Sequence, residues 1–275
     1  MKNLTRNVRI ALLLALALPV YSYAQKTKPK TKTRKHEFYF SWGYNTEWFT
    51  KSNVSVSQPE LGNNYTFKNI SGHDHKGWNE TLFTSALTIP QYNYRIGYIF
   101  NKKKGLGFEI NFDHTKFIFS EGNAHIKGTL ASKPVDSTIA FSQGNGFFYY
   151  LNNGANFLLF NIVKRWNVYE SENENIKIDF LGKAGIGPLI PHVENSFFGK
   201  KNDPGFQIGG WNIGVEGALR ATFFKYVFLE YTNKLDYARY SGLKIYKGTA
   251  KQAFGTYEMV LNLGLSFPVG KKEKD

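Results

Sequence analysis

The stretch "YEMVLNLGLSF" (Tyr257–Phe267) sets Tyr257, Met259, Leu261, Leu263, Leu265 and Phe267 against Glu258, Val260, Asn262, Gly264 and Ser266. Successive side chains on a β-strand point to opposite faces, so this segment reads as a strand with one apolar face and one mostly polar face. A soluble barrel would turn the apolar face inward, and a membrane barrel would turn it out toward lipid.

Seven other segments carry the same period of two. "FYFSWGYNTEW" (38–48) sets Phe38, Phe40, Trp42, Tyr44 and Trp48 against Tyr39, Ser41, Gly43, Asn45 and Glu47. "PQYNYRIGYIF" (90–100), "LGFEINFDHTKFIF" (106–119), "IKIDFLGKAGIG" (176–187), "WNIGVEGALRATFF" (211–224) and "YVFLEYTNKLDY" (226–237) alternate in the same way. "GFFYYLNNGANFLLFNIV" (146–163) alternates less cleanly, and there Phe147, Tyr149, Leu151, Ala155, Phe157 and Leu159 are expected to share the apolar face. The sum is an all-β chain with eight strands, the even count that a closed antiparallel, up-and-down transmembrane barrel needs.

Connection lengths alternate too. Short turns fall at "NKKKG" (101–105) and "FFKY" (223–226), with a medium polar one at "RWNVYESENEN" (165–175). Long connections fall at about 49–90, 119–145, 187–207 and 238–253. With both termini in the periplasm, every short turn would lie on that side and every long loop outside, the asymmetry of outer-membrane barrels.

The N-terminus supports export. Lys2, Arg6 and Arg9 precede "IALLLALALPV" (10–20) and then "YSYA" (21–24), the pattern of a cleaved signal peptide at 1–24. Of the formal charge of +14, three units lie in that signal and six more in the polar tail 25–35, "QKTKPKTKTRK". The barrel is expected over 36–268, with a charged tail at 269–275. Export makes nucleic acid an unnatural partner, and the absence of Cys excludes disulfide and thiolate chemistry.

The apolar faces are rich in Tyr, Trp and Phe, as the aromatic girdles of a membrane barrel require. The opposite faces carry Arg95, Glu109, Asp113, Lys177, Asp179, Lys183, Glu216, Arg220, Glu230, Lys234, Asp236 and Glu258. An eight-stranded barrel is just wide enough to fill with side chains, so these mixed charges are expected to form a polar network that plugs the lumen. The competing fold is a soluble secreted barrel with an apolar ligand inside.

Chemistry-bearing motifs are sparse. His73 and His75 flank Asp74, but no third ligand stands at a useful spacing, so no metal and no cofactor are expected. There is no nucleophile elbow, and the G-x-G runs lie inside strands with no helix behind them.

"FYFSWGYNTEW" and "TIPQYNYRIGYIF" (88–100) resemble stretches of outer-membrane barrels of the Bacteroidota, and "FDHTK" (112–116) and "PHVEN" (191–195) resemble motifs of lipid A oxidase-type barrels. The resemblance implies an outer-membrane location, membrane lipids as surroundings, and a candidate site for lipid A at the outer rim. It supplies His114, His192 and Glu194 as candidate catalytic groups and Lys116 as a candidate ligand for a head-group phosphate. Strand parity puts His114 and Lys116 on the lipid-facing side. Lipid A deacylase barrels pair His with Ser two residues on, whereas Lys116 stands at that place here. Phe267 resembles the terminal aromatic that the barrel assembly machinery reads. The main expectation is a structural or interaction barrel at the cell surface, with a lipid A-binding or lipid A-modifying barrel as the alternative.

Overall fold

The computed structural model describes residues 34–75, 91–151 and 154–272. The expected signal peptide and most of the basic tail lie outside these residues, as do 76–90, 152–153 and 273–275. The first half of the described chain forms β1 (Arg34–Phe49), β2 (Ser52–Gln58), β3 (Asn63–Ile70), β4 (Gly72–His73), β5 (Tyr92–Asn101), β6 (Leu106–His114), β7 (Phe117–Phe119), β8 (Gly122–Leu130) and β9 (Lys133–Phe141). The second half forms β10 (Phe148–Leu151), β11 (Phe157–Glu170), β12 (Ile176–Pro188), β13 (Glu194–Phe197), β14 (Lys200–Asn202), β15 (Gly210–Phe223), β16 (Val227–Ile245) and β17 (Gly248–Lys272).

Eight of these strands close on themselves. The antiparallel order is β1-β5-β6-β11-β12-β15-β16-β17, and β17 pairs back onto β1 from Phe38↔Phe267 to Phe49↔Thr256. Closure leaves no open sheet edge within the barrel wall, the condition for strands to cross hydrocarbon. β17 includes the opening stretch, and its Leu261, Leu263, Leu265 and Phe267 point out while Glu258, Val260 and Asn262 are buried inside. The outward surface is graded along the barrel axis. Ile96 lies between Tyr94 and Tyr98, Ile110 between Phe108 and Phe112, and Ile162 between Phe160 and Trp166, so aliphatic residues are flanked by aromatic ones. Rings at the two interfaces and aliphatics at mid-depth form the outer surface of a transmembrane barrel. The chain is an all-β, eight-stranded antiparallel transmembrane barrel.

β11 corrects one expectation. Phe157 and Leu159 are fully buried, whereas Phe160 and Ile162 are exposed, the latter at 68%. The face assigned to lipid is therefore the inner one. The cause is visible in "FLLF" (157–160), where four apolar residues in a row erase the alternation. Moreover, the segment 146–163 is two strands. β10 belongs to a second sheet, and β11 begins only at Phe157. Likewise "FDHTKFIF" divides at Thr115–Lys116 into barrel strand β6 and second-sheet strand β7.

At the end of the barrel that holds Arg34 and Lys272, the connections are short, at 102–105, 171–175 and 224–226. At the other end the long connections are folded into a cap. β2, β3, β8 and β9 extend the sheet from the far end of β17, where Gln252–Thr249 pairs with Val54–Ser57. A second sheet, β14-β13-β10-β7-β4, packs against it. One continuous apolar core fills the space between, including Val54, Phe67, Phe117, Phe141, Tyr149, Phe197, Tyr240 and Phe254. Phe67 of β3 stacks on Phe197 of β13 with ring centroids 6.0 Å apart, and Phe117 of β7 stacks on Phe254 of β17 at 4.9 Å. Each buried aromatic contributes about 1.5–3 kcal/mol of apolar transfer energy, which is why these connections are ordered sheets. The edge strand β9 carries Lys133, Pro134 and Asp136, which discourage pairing with a foreign strand.

Candidate functional site

Inward-facing residues on adjacent antiparallel strands stand directly opposite one another, so register decides which charges meet. Followed from strand to strand, the paired positions run Lys183↔Glu216, Glu216↔Lys234, Lys234↔Glu258 and Glu258↔Glu47, climbing toward the cap because the strands are staggered. The signs alternate until the last step, where two carboxylates face each other.

The middle of the lumen is a lattice of ion pairs. Arg95 reaches Glu109 at 3.1 Å and also contacts Glu216. Lys183 sits 2.8 Å from both Glu109 and Glu230. Asn161 donates to Glu109 at 3.3 Å and to Glu216 at 3.2 Å, and the Tyr39 hydroxyl donates to Glu109 at 2.7 Å. Arg220 pairs with Glu230 at 2.6 Å, and its guanidinium lies 4.2 Å from the Tyr39 ring centroid and 4.1 Å from that of Phe228. Such rings hold a desolvated cation through their negative faces.

Toward the short-turn end, Tyr39, Ile99, Val163, Leu181, Ala218 and Phe228 form an apolar belt inside the barrel. Beyond it Arg165 pairs with Glu37 at 2.5 Å, and Lys177 pairs with Asp179 at 2.8 Å. Glu37 and Arg165 belong to the polar interior although the sequence reading did not select them. Arg165 shares the face of β11 that was read the wrong way round, and Glu37 sits two residues before Tyr39, in the same parity.

Toward the cap, a single ammonium serves several carboxylates. Lys234 lies 2.5 Å from Asp113, 3.1 Å from Asp236 and 3.4 Å from Glu258. Glu47, opposite Glu258, is held by hydrogen bonds from Thr115 Oγ1 at 2.6 Å and Asn45 Nδ2 at 2.9 Å. All these groups are buried. Phe157 then closes the layer from above, its ring centroid 5.4 Å from the Lys234 nitrogen.

At the rim, one asparagine joins two distant motifs. The Asn156 side-chain oxygen accepts from His114 Nδ1 at 2.8 Å, and its Nδ2 donates to the Ile190 carbonyl at 2.9 Å. The His192 backbone N–H donates to the Gly154 carbonyl at 2.9 Å. His114 also stacks on Tyr92, with ring centroids 4.6 Å apart. Burial pulls the Lys116 ammonium below its ordinary value, and the Glu194 carboxylate nearby partly offsets that. His114, Lys116, His192 and Glu194 thus occupy one neighbourhood. His192 hydrogen-bonds Asp203, which holds the Asp203 carboxyl below its usual range.

His73 and His75 are not brought together. The His73 ring bonds Ser120 Oγ at 3.2 Å, while the His75 backbone N–H donates to Gln91 Oε1 at 3.0 Å. Asp74 between them turns inward and accepts from Thr46 Oγ1 at 2.8 Å and the Glu47 N–H at 2.9 Å. It therefore anchors the cap to β1.

No protein-family model and no curated relative matches the sequence. The solved structures to which the chain shows low similarity are outer-membrane barrels. The outer-membrane protein OprG of Pseudomonas aeruginosa is 11% identical, with 86% of this chain and 98% of that one covered and a TM-score of 0.38. The outer-membrane protease OmpT of Escherichia coli is also 11% identical, covering 88% and 99% with a TM-score of 0.38. Ail of Yersinia pestis, in complex with the heparin analogue sucrose octasulfate, is 15% identical, covering 85% and 99% with a TM-score of 0.31.

Proposed function

We propose that this chain is an outer-membrane surface protein whose barrel is a non-conducting anchor and whose cap faces the cell exterior as an interaction module. The observation that carries this reading is the filled interior. Among the described residues, the apolar belt, the ion-pair lattice and the cap core succeed one another from the short-turn end to the cap, which supports a plugged lumen. Eight strands enclose a space that side chains can fill, so a plugged lumen is the natural state. Membrane lipids surround the barrel, and delivery would use the cleaved signal peptide and recognition of the C-terminal strand by the assembly machinery. Full-length protein refolded into planar bilayers is expected to give no discrete current steps at neutral pH. Reproducible single-channel steps from wild-type protein, absent from mock insertions, would overturn the plug.

A second reading is lipid A contact at the rim, supported by the nearness of Lys116 to Glu194 and by Asn156, which ties His114 to the backbone just before His192. In that case Lys116 acts as a point charge for a head-group phosphate. Lys116→Ala is then expected to weaken binding of purified lipid A several-fold at low salt, and the difference should shrink as salt screens the pair. Equal lipid A binding by the two proteins leaves the interaction barrel alone. The hydrogen bond and ring stacking that already engage His114 suit a positioning role better than proton transfer.

A further inference from the structure

The β13–β14 hairpin brings together three side chains that neither the plug nor the rim contact uses as a set. The hairpin pairs Asn195↔Asn202 and Ser196↔Lys201, so continuing the register one step sets Glu194 opposite Asp203. His192 lies two residues before Glu194, on the same side of an extended chain, and its backbone forms an isolated bridge to Phe206 on the returning arm. The His192 ring packs on Phe206 with centroids 5.0 Å apart, which fixes its direction. One ligand atom from each of His192, Glu194 and Asp203 lies within 4.8 Å of the others. No other described residues form such a group of three.

Two carboxylates directly opposite on a hairpin repel each other, and the His192–Asp203 hydrogen bond leaves both formal charges in place. Glu194 and Asp203 bring two formal negative charges against the single positive charge of Lys116. The geometry points to a divalent transition-metal site at His192, Glu194 and Asp203, on the cap and outside the membrane span. An imidazole nitrogen with two carboxylate oxygens favours zinc-like ions over calcium or magnesium, which take oxygen ligands almost exclusively. With metal–ligand bonds of about 2.0–2.2 Å, ligation would replace the His192–Asp203 hydrogen bond, its ring proton moving to Nδ1, and draw the Glu194 carboxylate toward the same ion. Ligation would clip the two arms of the hairpin together. It would also tie "PHVEN" to Asp203, which follows β14. The site stands independently of the surface-module reading and would hold whatever the cap's partner is.

The test uses untagged full-length protein folded in detergent micelles, titrated with zinc chloride against a chromophoric chelator at pH 7.5. One equivalent of Zn2+ is expected to bind saturably, with Ca2+ and Mg2+ failing to displace it at a hundredfold excess. His192→Ala and Asp203→Asn should each lower the affinity at least tenfold while keeping the heat-modifiable mobility of the folded barrel. Lys116→Gln should raise the affinity, because it removes the cation next to Glu194. His125→Ala is the control. That imidazole meets Asp136 at 2.9 Å, but Lys127 already occupies the same carboxylate at 2.7 Å, so no change is expected. Absence of a saturable equivalent in wild-type protein, or equal affinity in the His192 and Asp203 variants, would falsify the site.

Discussion

Lys234→Met is expected to lower the folding free energy of the barrel by about 3–5 kcal/mol, measured by urea unfolding in lipid vesicles, because it strips the cation from a group of buried carboxylates. Methionine fills nearly the same volume, so the loss is electrostatic. Lys234 is fully buried and contacts Asp113, Asp236 and Glu258, while Glu47 stands opposite Glu258. Those contacts also identify the rescue. Adding Glu258→Gln to Lys234→Met replaces one of the carboxyl groups left without its cation by a neutral amide and should recover part of the deficit. A Lys234→Met barrel as stable as wild type, or a double variant less stable than the single one, would show that the lattice is not held by this ammonium.

Phe67→Ala should cost the cap about 3–5 kcal/mol, the range for truncating a buried phenylalanine without collapse of the site. Phe67 is fully buried, and its ring meets Phe141, Phe147 and Phe197, so it joins the two cap sheets. The barrel has its own closed hydrogen-bonded ring and its own ion-pair interior, so it should survive the loss. The expected result is rapid proteolysis within β8 and β9 with unchanged heat-modifiable mobility of the barrel. Ile208→Ala serves as the control, since Ile208 is 81% exposed. If Phe67→Ala left the cap as protease-resistant as wild type, the cap core would not be the source of its order. If barrel and cap were lost together, they would be one cooperative unit.

These two substitutions mark different depths of legibility. The eight barrel strands could be read from the chain because each crosses a boundary between lipid and lumen. That boundary forces opposite polarity on successive residues. Leu261 and Asn262 are neighbours in sequence and sit on opposite sides of the wall, and no long-range information is needed to see it. Where both sides are apolar, the signal disappears. β11 enters the cap core at Phe157 and meets lipid at Phe160, so "FLLF" has no preferred face in sequence. The same loss of signal concealed Arg165. The cap was illegible for a related reason. Its strands pair across the sequence, β3 with β8 and β10 with β13, and their apolar residues face a core shared by four separate connections.

The local chemistry of single residues was determined by the sequence alone: where the barrel strands run, which face of most of them is polar, how many must close, and that no Cys chemistry is available. Partnership was decided by tertiary structure. Register around the barrel sets Glu47 against Glu258 instead of against a cation, and it gives Lys234 three carboxylates where parity could assign only a direction. Asn156, unremarked in the sequence, joins "FDHTK" to Ile190, the residue just before "PHVEN", across the rim. Asp203 joins His192 and Glu194 only because a hairpin folds it back beside them. The period-two pattern encodes which side of a strand a group occupies, but the distance between two groups on different strands depends on stagger and closure, which arise only when the whole barrel and its cap have formed.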